Sequence, residues 1–563
     1  MVIASLTSLV QAAADAAGLD AVVPPVAPSK PGHGDYQSNV AMRLAKAARM
    51  SPRAVAEKLV ANLPAHDAVE RVEVAGPGFL NIHLDSAWLG RQVASQCRDD
   101  FGVPRGEGTV VIDYSSPNVA KRMHVGHLRS TVIGGALDRM YRFAGHQVVA
   151  DNHIGDWGTQ FGKLIVAWDA WVDEQAFAAD PIGELERIYV RFSQDATDEM
   201  QDQARAETAK LQAGDERNRA LWRTFIDASM TEFNTLYDRM GIHFDVTYGE
   251  SHYDAMLQPL VDEFLESGAA EHSKGAVVIR FTEEDDKALK DQPMLIRKAD
   301  GAALYGTTDL ATVRFRQDTW APTKMVYVTD TRQQHHFRQL FVASAKLGLA
   351  SPEQLVHVWF GLLSLPEGAM SSRKGNVIRL KDLLDEAVSR ARTLVDEKSA
   401  SLPDEERAAI AEAVGVGSVR YADLAQNPQT NVVFEWDKML SMEGNTAPFM
   451  LYSLARCRSI QRKGDLPRTL TAFDPQAPLE RALALRLLRF PQSFSQALAL
   501  HRPNVLCEYL FKLAKVLNKF YMEHRVLDAE GNDRNTRVNL IEATARTLET
   551  GLTLLGIQPL ERM

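Results

Sequence analysis

The sequence has few cysteines and no long apolar run. Of its 563 residues only three are cysteines, Cys97, Cys457 and Cys507, and no CxxC pair occurs. We therefore expect neither a disulfide framework nor a structural zinc site of the usual spacing, and a reducing compartment fits. No uninterrupted apolar run reaches the length of about 18 residues that a transmembrane helix needs, so no membrane association is predicted.

Basic residues are missing from the beginning of the sequence. No Lys or Arg precedes Lys30, although the first 23 residues are fairly apolar. A signal peptide needs a basic n-region, so this stretch favours an amphipathic helix instead. We expect a cytoplasmic protein.

Positive charge is also in deficit overall, with 63 Lys and Arg against 73 Asp and Glu and a formal net charge of −10. That total argues against a polyanionic partner. The charge is uneven, however, because residues 425–563 hold 18 basic and 14 acidic residues. Since local basic faces decide how a protein docks on nucleic acid, an RNA partner stays open.

The length predicts about three to four domains. Residues 1–107 have the pattern of a small α/β module, with helices and alternating strands at 6–17, 54–63, 72–74 and 79–84. Ser51 followed by Pro52 marks the beginning of the second helix.

Residues 108–424 follow a βα pattern that predicts a doubly wound parallel sheet. The first strand, helix and strand are expected at 109–114, 126–143 and 148–150. A helix-rich acidic stretch, about 165–290, is predicted to be inserted between the two halves of the sheet, with further strands at 276–281, 325–328 and 356–365. Residues 425–563 are predicted to be entirely helical.

The stretch 113–129 runs off the first strand and opens the first helix. A helix N-terminus favours phosphate, because its backbone N–H groups are unpaired and its dipole is positive there. His124 and His127 can donate hydrogen bonds to phosphate oxygens, and Gly126 leaves room for close approach. The alternative is an ordinary helix start with two histidines, since the HxGH pattern alone is common.

A second stretch, Met370-Ser371-Ser372-Arg373-Lys374, follows the strand at 356–365. Two adjacent cations among small polar residues suit a loop that closes on a polyphosphate. By itself this stretch is better explained by a solvated basic turn.

Together the two stretches resemble the HIGH and KMSKS motifs of class I aminoacyl-tRNA synthetases in order and in spacing. Further segments resemble the arginyl-tRNA synthetases in particular, and they cover nearly the whole chain: Gly34–Asn39, Ser115–Lys121, His127–Thr131, Gly155–Gly162, Tyr421–Leu424, Phe434–Asp437, Glu443–Pro448, Leu554–Gly556 and the final Met563.

The resemblance implies an ATP-dependent arginine–tRNA ligase. Its expected architecture is α/β: a Rossmann-type catalytic domain with a helical insertion, a small N-terminal α/β domain that touches the tRNA D-loop, and an all-α anticodon-binding domain. Arginyl-adenylate would form first, followed by transfer to the terminal adenosine of the tRNA. ATP with its Mg²⁺ is expected, the metal being held by the nucleotide and not by the protein, with no zinc. A monomer is expected.

One motif departs from the family pattern, because KMSKS has lysines where this sequence has Ala369 and Ser372. Some positive charge must then come from elsewhere. Arg373 and Lys374 are candidates, and we hypothesise that Lys121, three residues before His124, also supplies charge to the ATP phosphates.

An arginine substrate needs carboxylates that meet its guanidinium group. The resemblance assigns this role to Asp113, Tyr305 and Asp309, and it assigns the α-amino group to Asn118 and Gln333. Each residue taken singly is more often a cap or turn residue.

For tRNA, the resemblance points to one set of residues in each terminal domain. Single-stranded RNA is recognised by stacking and by base-edge hydrogen bonds. The expected anticodon contacts are Tyr452, Asn518, Tyr521 and Met563, and the expected D-loop contacts are Phe79 and Asn81.

Two other functions compete with this one. A different class I synthetase or a nucleotidylyltransferase would share HxGH but would lack the segment 155–162 and the helical tail in this form. A catalytically inactive RNA-binding relative would not need both histidines, Lys374 and two pocket aspartates.

Overall fold

The N-terminal part of the chain is an antiparallel sheet covered by helices. The computed structural model describes residues 2–20, 22–30, 32–98, 100–299, 301–364 and 378–563. Ser51 caps its helix as predicted, accepting a hydrogen bond from the Ala54 N–H at 3.2 Å. The sheet order is β1-β2-β4-β3. The elements are α1 (Val2–Ala16), β1 (Ala27–Pro28), β2 (Tyr36–Ser38), α2 (Val40–Ala48), α3 (Pro52–Ala61), β3 (Val69–Ala75), β4 (Phe79–Leu84) and α4 (Ser86–Gln96).

The middle of the chain contains the predicted parallel sheet and a large helical insertion. Its elements are β5 (Thr109–Asp113), α5 (Val125–Phe143), β6 (Gln147–Asp151), α6 (Thr159–Trp171), α7 (Glu174–Ala179), α8 (Pro181–Asp195), α9 (Asp198–Gln212), α10 (Glu216–Arg239), α11 (Asp254–Glu266), β7 (Glu271–Ser273), β8 (Ala276–Ile279), α12 (Glu283–Asp286), β9 (Met294–Arg297), α13 (Tyr305–Trp320), β10 (Lys324–Asp330), α14 (Gln334–Lys346), β11 (Leu355–Phe360) and β12 (Leu363–Ser364).

The rest of the chain is mostly helical. It comprises α15 (Leu380–Lys398), α16 (Asp404–Leu424), β13 (Val432–Val433), α17 (Trp436–Met439), α18 (Ala447–Gly464), α19 (Pro478–Leu488), α20 (Phe490–Ala499), α21 (Pro503–Glu523) and α22 (Gly531–Leu554). Within the described ranges, no helix is both long and apolar enough to cross a membrane.

The parallel sheet has the order β11-β10-β5-β6, and every pairing in it is parallel. The chain leaves β5 through α5 toward β6, whereas it leaves β10 through α14 toward β11. The winding direction therefore reverses between β5 and β10, and a crevice opens at the carboxyl ends of these two strands. Asp113 and Asp330 end them.

The strand predicted at 276–281 is present as β8, in a separate antiparallel sheet, β7-β8-β9. One sequence-based expectation is wrong. The part after residue 425 is not entirely helical, since β13 pairs in parallel with β12. Strands of two residues are too short to have a detectable alternation of apolar and polar residues.

Candidate active site

The helix α5 begins at the carboxyl edge of the sheet with two interlocked histidines. The Nδ1 atom of His124 accepts a hydrogen bond from the Gly126 N–H at 3.0 Å, and Nδ1 of His127 accepts one from the His124 N–H at 3.1 Å. The ring centroids are 4.1 Å apart. Because both Nδ1 atoms accept backbone hydrogen bonds, each neutral ring carries its proton on Nε2 and keeps that donor for a ligand.

Both imidazoles are neutral at physiological pH. Burial, together with the neighbouring His124, lowers the pKa of His127 to about 3. The pKa of His124 is lowered by burial and by the positive charges of Arg332 and Lys121. The two rings are therefore hydrogen-bond donors without a net charge of their own, and the cations beside them supply the charge.

The predicted cation Lys121 lies close to this pair. Its Nζ sits 5.0 Å from the ring centroid of Tyr189 on α8, a cation–π contact that leaves the ammonium hydrogen atoms unpaired with any carboxylate that the structure describes. The next residue, Arg122, is instead engaged by the carboxylates of Asp180, Glu186 and Glu232. Of these two cations, Lys121 is the one available to a phosphate.

The second predicted motif, Met370, Ser371, Ser372, Arg373 and Lys374, lies outside the described residues. The chain that follows it is held against the start of α5. Val125 N–H donates to the Ile378 carbonyl at 3.0 Å, and Leu380 N–H donates to the Met123 carbonyl at 2.9 Å. One flank of the motif is thereby fixed beside His124.

The loop between β5 and α5 is held in an unusual backbone conformation. Ser115 and Ser116 have φ values of +71° and +50°, in the left-handed region. Their N–H groups donate to Ser130 Oγ at 2.9 Å and to Asn152 Oδ1 at 3.2 Å. These bonds stabilise the strained turn that carries the exposed Asn118 to the edge of the sheet.

The carboxylate of Asp113 is already paired within the protein. Its Oδ2 accepts from Arg316 Nη2 at 2.6 Å, and the same nitrogen lies 2.7 Å from Asp151 Oδ2. Ser116 Oγ donates to the other oxygen of Asp113 at 3.1 Å. Asp113 thus lies at the floor of the crevice with an internal guanidinium on it, a contact that the sequence analysis missed.

The other predicted pocket residues lie at the start of α13 and just after β10. Tyr305, the first residue of α13, is 74% exposed. One turn later, Asp309 Oδ2 is 2.5 Å from His336 Nε2, and this contact raises the pKa of His336 against the effect of its burial. Gln333 is exposed beside Arg332, in a single turn of 3₁₀ helix over Thr331–Gln333.

Two carboxylates missed by the sequence analysis complete this group. Burial and the nearby carboxylates of Asp156 and Asp309 raise the pKa of Glu250 to about 8. The charge of Glu250 in turn contributes to the raised pKa of Tyr305. A buried carboxyl that is largely neutral until a cation arrives suits a guanidinium ligand. No sequence pattern marks Glu250, whereas Asp156 belongs to the segment 155–162 that carries the resemblance.

Three of the four predicted anticodon residues line one cleft in the C-terminal part of the chain. Its volume is about 870 Å³, and Tyr452, Tyr521 and Met563 line it together with Arg456. The Arg456 guanidinium lies 4.8 Å from the ring centroid of Tyr452 and 4.7 Å from that of Tyr521, and it hydrogen-bonds to Asn518. Tyr452, Tyr521 and Asn518 are therefore joined through Arg456, and Met563 lines the same cleft as the two tyrosines. The cleft wall is basic, with Lys398, Arg462, Lys463, Arg525 and Arg562.

The predicted D-loop residues lie on the N-terminal sheet. Phe79 is half-buried at the start of β4, but Asn81 is only 4% exposed. Gln37 Nε2 donates to Asn81 Oδ1 at 2.7 Å, so the neighbouring strand already occupies that oxygen.

Three family models match successive parts of the chain. The model of the Arginyl tRNA synthetase N terminal domain matches residues 4–84, that of the tRNA synthetases class I (R), catalytic domain, matches 98–436, and that of the DALR anticodon binding domain matches 450–563. These matches extend over all three parts of the fold.

Whole-chain comparisons agree with the models. The arginine–tRNA ligase of Fusobacterium nucleatum is 47% identical, covering 94% of this chain and 93% of that one. The ligase of Escherichia coli is 41% identical over 94% of each. Among solved structures, the arginyl-tRNA synthetase of Thermus thermophilus has a TM-score of 0.83 at 27% identity and covers both chains fully. The chain belongs to the arginyl-tRNA synthetase family of the class I aminoacyl-tRNA synthetases.

Proposed function

We propose that this arginine–tRNA ligase activates L-arginine with ATP in the crevice between β5 and β10 and then transfers the arginyl group to the terminal adenosine of its tRNA. One observation carries the proposal more than any other: α5 begins with two neutral histidines whose Nε2 donors are free, and the same part of the fold holds a group of carboxylates that includes the ionisable Glu250. The first arrangement suits phosphate and the second suits a guanidinium group.

On the nucleotide side, His124 and His127 donate to the phosphate oxygens as pyrophosphate leaves, and Gly126 gives the phosphates access to the helix start. Lys121 neutralises charge there, which its position next to His124 supports. The segment Met370–Lys374, with Ser371, Ser372 and Arg373, binds the polyphosphate, as its two adjacent cations support. Mg²⁺ enters with ATP as part of the substrate.

On the amino-acid side, Asp309 and Glu250 receive the guanidinium group, with Tyr305 against its plane. Asn118 and Gln333 hold the α-amino group through their amide oxygens. Asp113 acts from the floor of the site. Its Oδ2 is paired with Arg316, so only Oδ1, which also accepts from Ser116 Oγ, is left for the substrate. A site with two charged acceptors rejects neutral citrulline, because citrulline would leave them unpaired.

The arginine carboxylate is itself the nucleophile and attacks the α-phosphorus in line, so the protein positions reactants and stabilises charge. No side-chain nucleophile is needed. Once the adenylate has formed, the terminal adenosine hydroxyl of the tRNA attacks its carbonyl carbon and releases AMP.

For tRNA, we propose that residues 425–563 read the anticodon with Tyr452, Asn518, Tyr521 and Met563, and that residues 1–107 contact the D-loop through Phe79 and Asn81. Residues 108–424 carry out the chemistry. Every group in this scheme comes from one chain, so a monomer suffices. We also propose that the enzyme acts in the cytoplasm.

Pyrophosphate exchange tests the proposal. The full chain is assayed with arginine, citrulline and each other amino acid, with and without arginine-accepting tRNA. Exchange is expected with arginine and with no other amino acid. Lys121→Ala should reduce this exchange about tenfold or more, because one charge-stabilising contact is lost.

Equal exchange with citrulline would contradict the pocket, and an unchanged rate in Lys121→Ala would contradict its assignment. The absence of any exchange would favour an inactive RNA-binding relative.

A further inference from the structure

The segment Ile154–Trp157 lies between the two ends of the proposed arginine site. On one side it brackets Asn118: Gly155 N–H donates to the Pro117 carbonyl, and Val119 N–H donates to the Gly155 carbonyl, both at 3.1 Å. A side chain at Gly155 would collide with the amide oxygen of Asn118. The position of Asn118 thus follows the position of this segment.

On its other side the same segment holds the short 3₁₀ helix Glu250–Tyr253. Ser251 donates twice to the carboxylate of Asp156, from its N–H at 2.8 Å and from its Oγ at 2.6 Å. Glu250 N–H donates to the Ile154 carbonyl at 3.1 Å. The Trp157 backbone N–H donates to the Glu250 carboxyl.

The carboxylate of Asp156 is itself firmly placed. Asp156 is 4% exposed, and Gly249 packs so closely that a Cβ there would overlap the Asp156 carboxylate. Trp222 Nε1 donates to the Asp156 carbonyl at 2.7 Å, and Trp157 Nε1 donates to Asp254 Oδ1 at 2.9 Å. One rigid segment therefore connects an amide proposed for the α-amino end with a carboxyl proposed for the guanidinium end.

We propose that Asp156 is a positioning residue that fixes the distance between Asn118 and Glu250 and thereby selects the length of the substrate side chain. Asp156 touches neither end of the substrate and acts through Ser251 on the placement of Glu250. The inference rests on the proposed function, because it needs Asn118 and Glu250 at opposite ends of arginine.

The test compares arginine with norarginine and homoarginine, which are one methylene shorter and longer. Pyrophosphate exchange is measured for the full chain with tRNA present, in wild type, Asp156→Asn and Ser251→Ala. In Asp156→Asn an amide NH₂ faces one of the two Ser251 donors, so Glu250 loses its fixed place. One methylene too many or too few changes kcat/KM by roughly 10- to 200-fold. The preference of the wild type for arginine is therefore large enough for its loss to be measured.

We expect the kcat/KM preference for arginine over homoarginine to fall about tenfold in Asp156→Asn, mainly through the KM for arginine. Ser251→Ala removes only one of the two hydrogen bonds to Asp156. Its preference for arginine over homoarginine should therefore lie between those of Asp156→Asn and wild type. The exposed Asp291 gives the control, Asp291→Asn, which should leave the preference unchanged.

A pH profile separates positioning from a general loss of structure. The charges facing Glu250 are Asp156 and Asp309, and both raise its pKa. Arginine binds the ionised carboxyl, so the KM for arginine should fall as the pH rises toward 8 in wild type. Asp156→Asn should move this change to lower pH, whereas Ser251→Ala, which keeps the carboxylate, should not.

An equal loss for all three substrates in Asp156→Asn, with an unmoved pH profile, would overturn the inference. If Asp156→Asn does not fold, an unchanged preference in Ser251→Ala would do so. Wild type without arginine-dependent exchange would instead overturn the proposed function.

Discussion

At the residue scale, the most informative feature is the tautomer of the two histidines. The position of His124 and His127 at the start of a helix was predictable from sequence, because a strand, a polar loop and HxGH precede an apolar helix. Their protonation was not, since it depends on which backbone N–H groups reach the Nδ1 atoms. The resulting cap leaves both Nε2 donors pointing away from the helix backbone.

This geometry predicts that two substitutions of His127 rank in opposite order for thermal stability and for activity. In His127→Asn the amide oxygen can replace Nδ1 as acceptor for the His124 N–H, while in His127→Gln the amide NH₂ can replace the Nε2 donor. We expect Asn to retain more thermal stability, by about 1 kcal/mol for the cap. We expect Gln to retain more kcat for adenylate formation, since loss of such a donor costs about 100-fold or more.

Thermal unfolding measures the stability of the two variants, and single-turnover adenylate formation measures their activity. In wild type, kcat should show no inflection from His127 between about pH 6 and 8, because burial and the neighbouring His124 lower the pKa of that ring to about 3. If Asn exceeded Gln in both readouts, the assigned tautomer would be wrong.

Glu250 illustrates what sequence reasoning misses at this scale. It precedes an unremarkable serine, far along the chain from Asp156 and Asp309, and only the fold brings the three carboxylates together. Asp113 shows the converse, because a residue that the motif singles out proves to be paired with Arg316.

At the scale of elements, α5 is held at its start by a buried ion pair. Arg129 Nε lies 2.7 Å from Asp423 Oδ1 on α16, and both residues are 1% exposed. The Nη1 atom of Arg129 also donates to the carbonyls of Gly361 and Thr430 at 2.7 and 2.8 Å. The pair explains two motifs that the sequence analysis could only match to a family, the segments 127–131 and 421–424.

Removing one partner should therefore be costly. Asp423→Asn leaves the guanidinium of Arg129 buried without its counter-charge, and we expect a loss of about 3–5 kcal/mol in the free energy of unfolding. The double variant Arg129→Met with Asp423→Leu should recover much of that loss, because no charge is then buried. Urea unfolding of the catalytic part measures both.

A similar midpoint for Asp423→Asn and wild type would contradict the role of the pair.

The elements themselves were largely predictable: β5, α5, β6 and β10 lie within a few residues of their expected positions. The pairing of β12 with β13 was not, because two-residue strands depend on the partner that the fold supplies.

At the scale of the whole molecule, the N-terminal module is attached to the C-terminal helices. Arg481 on α19 binds both oxygens of Asp35, at 3.2 Å from Nε and 2.5 Å from Nη2, and donates to Ser86 Oγ at 2.7 Å. Asp35 also accepts the Leu84 N–H at 2.7 Å. The motif 34–39 therefore holds the N-terminal module against the C-terminal helices. Because the two partners lie at opposite ends of the chain, local sequence patterns do not show this contact.

Asp35→Ala should loosen this attachment. The variant leaves Arg481 without its carboxylate, and we expect faster tryptic cleavage in the connection around Arg105. We also expect a several-fold higher KM for tRNA, with the KM values for ATP and arginine unchanged. Asp67→Ala, at an exposed loop residue, is the control. Equal changes in all three KM values would show that the attachment does not act through tRNA.

The helix α5 has a mechanical consequence for accuracy. Its 19 residues span about 28 Å, from the histidines at one end to Tyr141 and Phe143 at the other. There Tyr141 Oη lies 2.7 Å from Nε2 of His501, in the turn between α20 and α21, and Phe143 packs on Phe494 of α20. A rod of that length turns a tilt of one degree into a displacement of about 0.5 Å at the far tip. Reaction rates fall steeply with errors of about 1 Å, so we expect the packing of the C-terminal helices to limit how far α5 can tilt at the proposed ATP site.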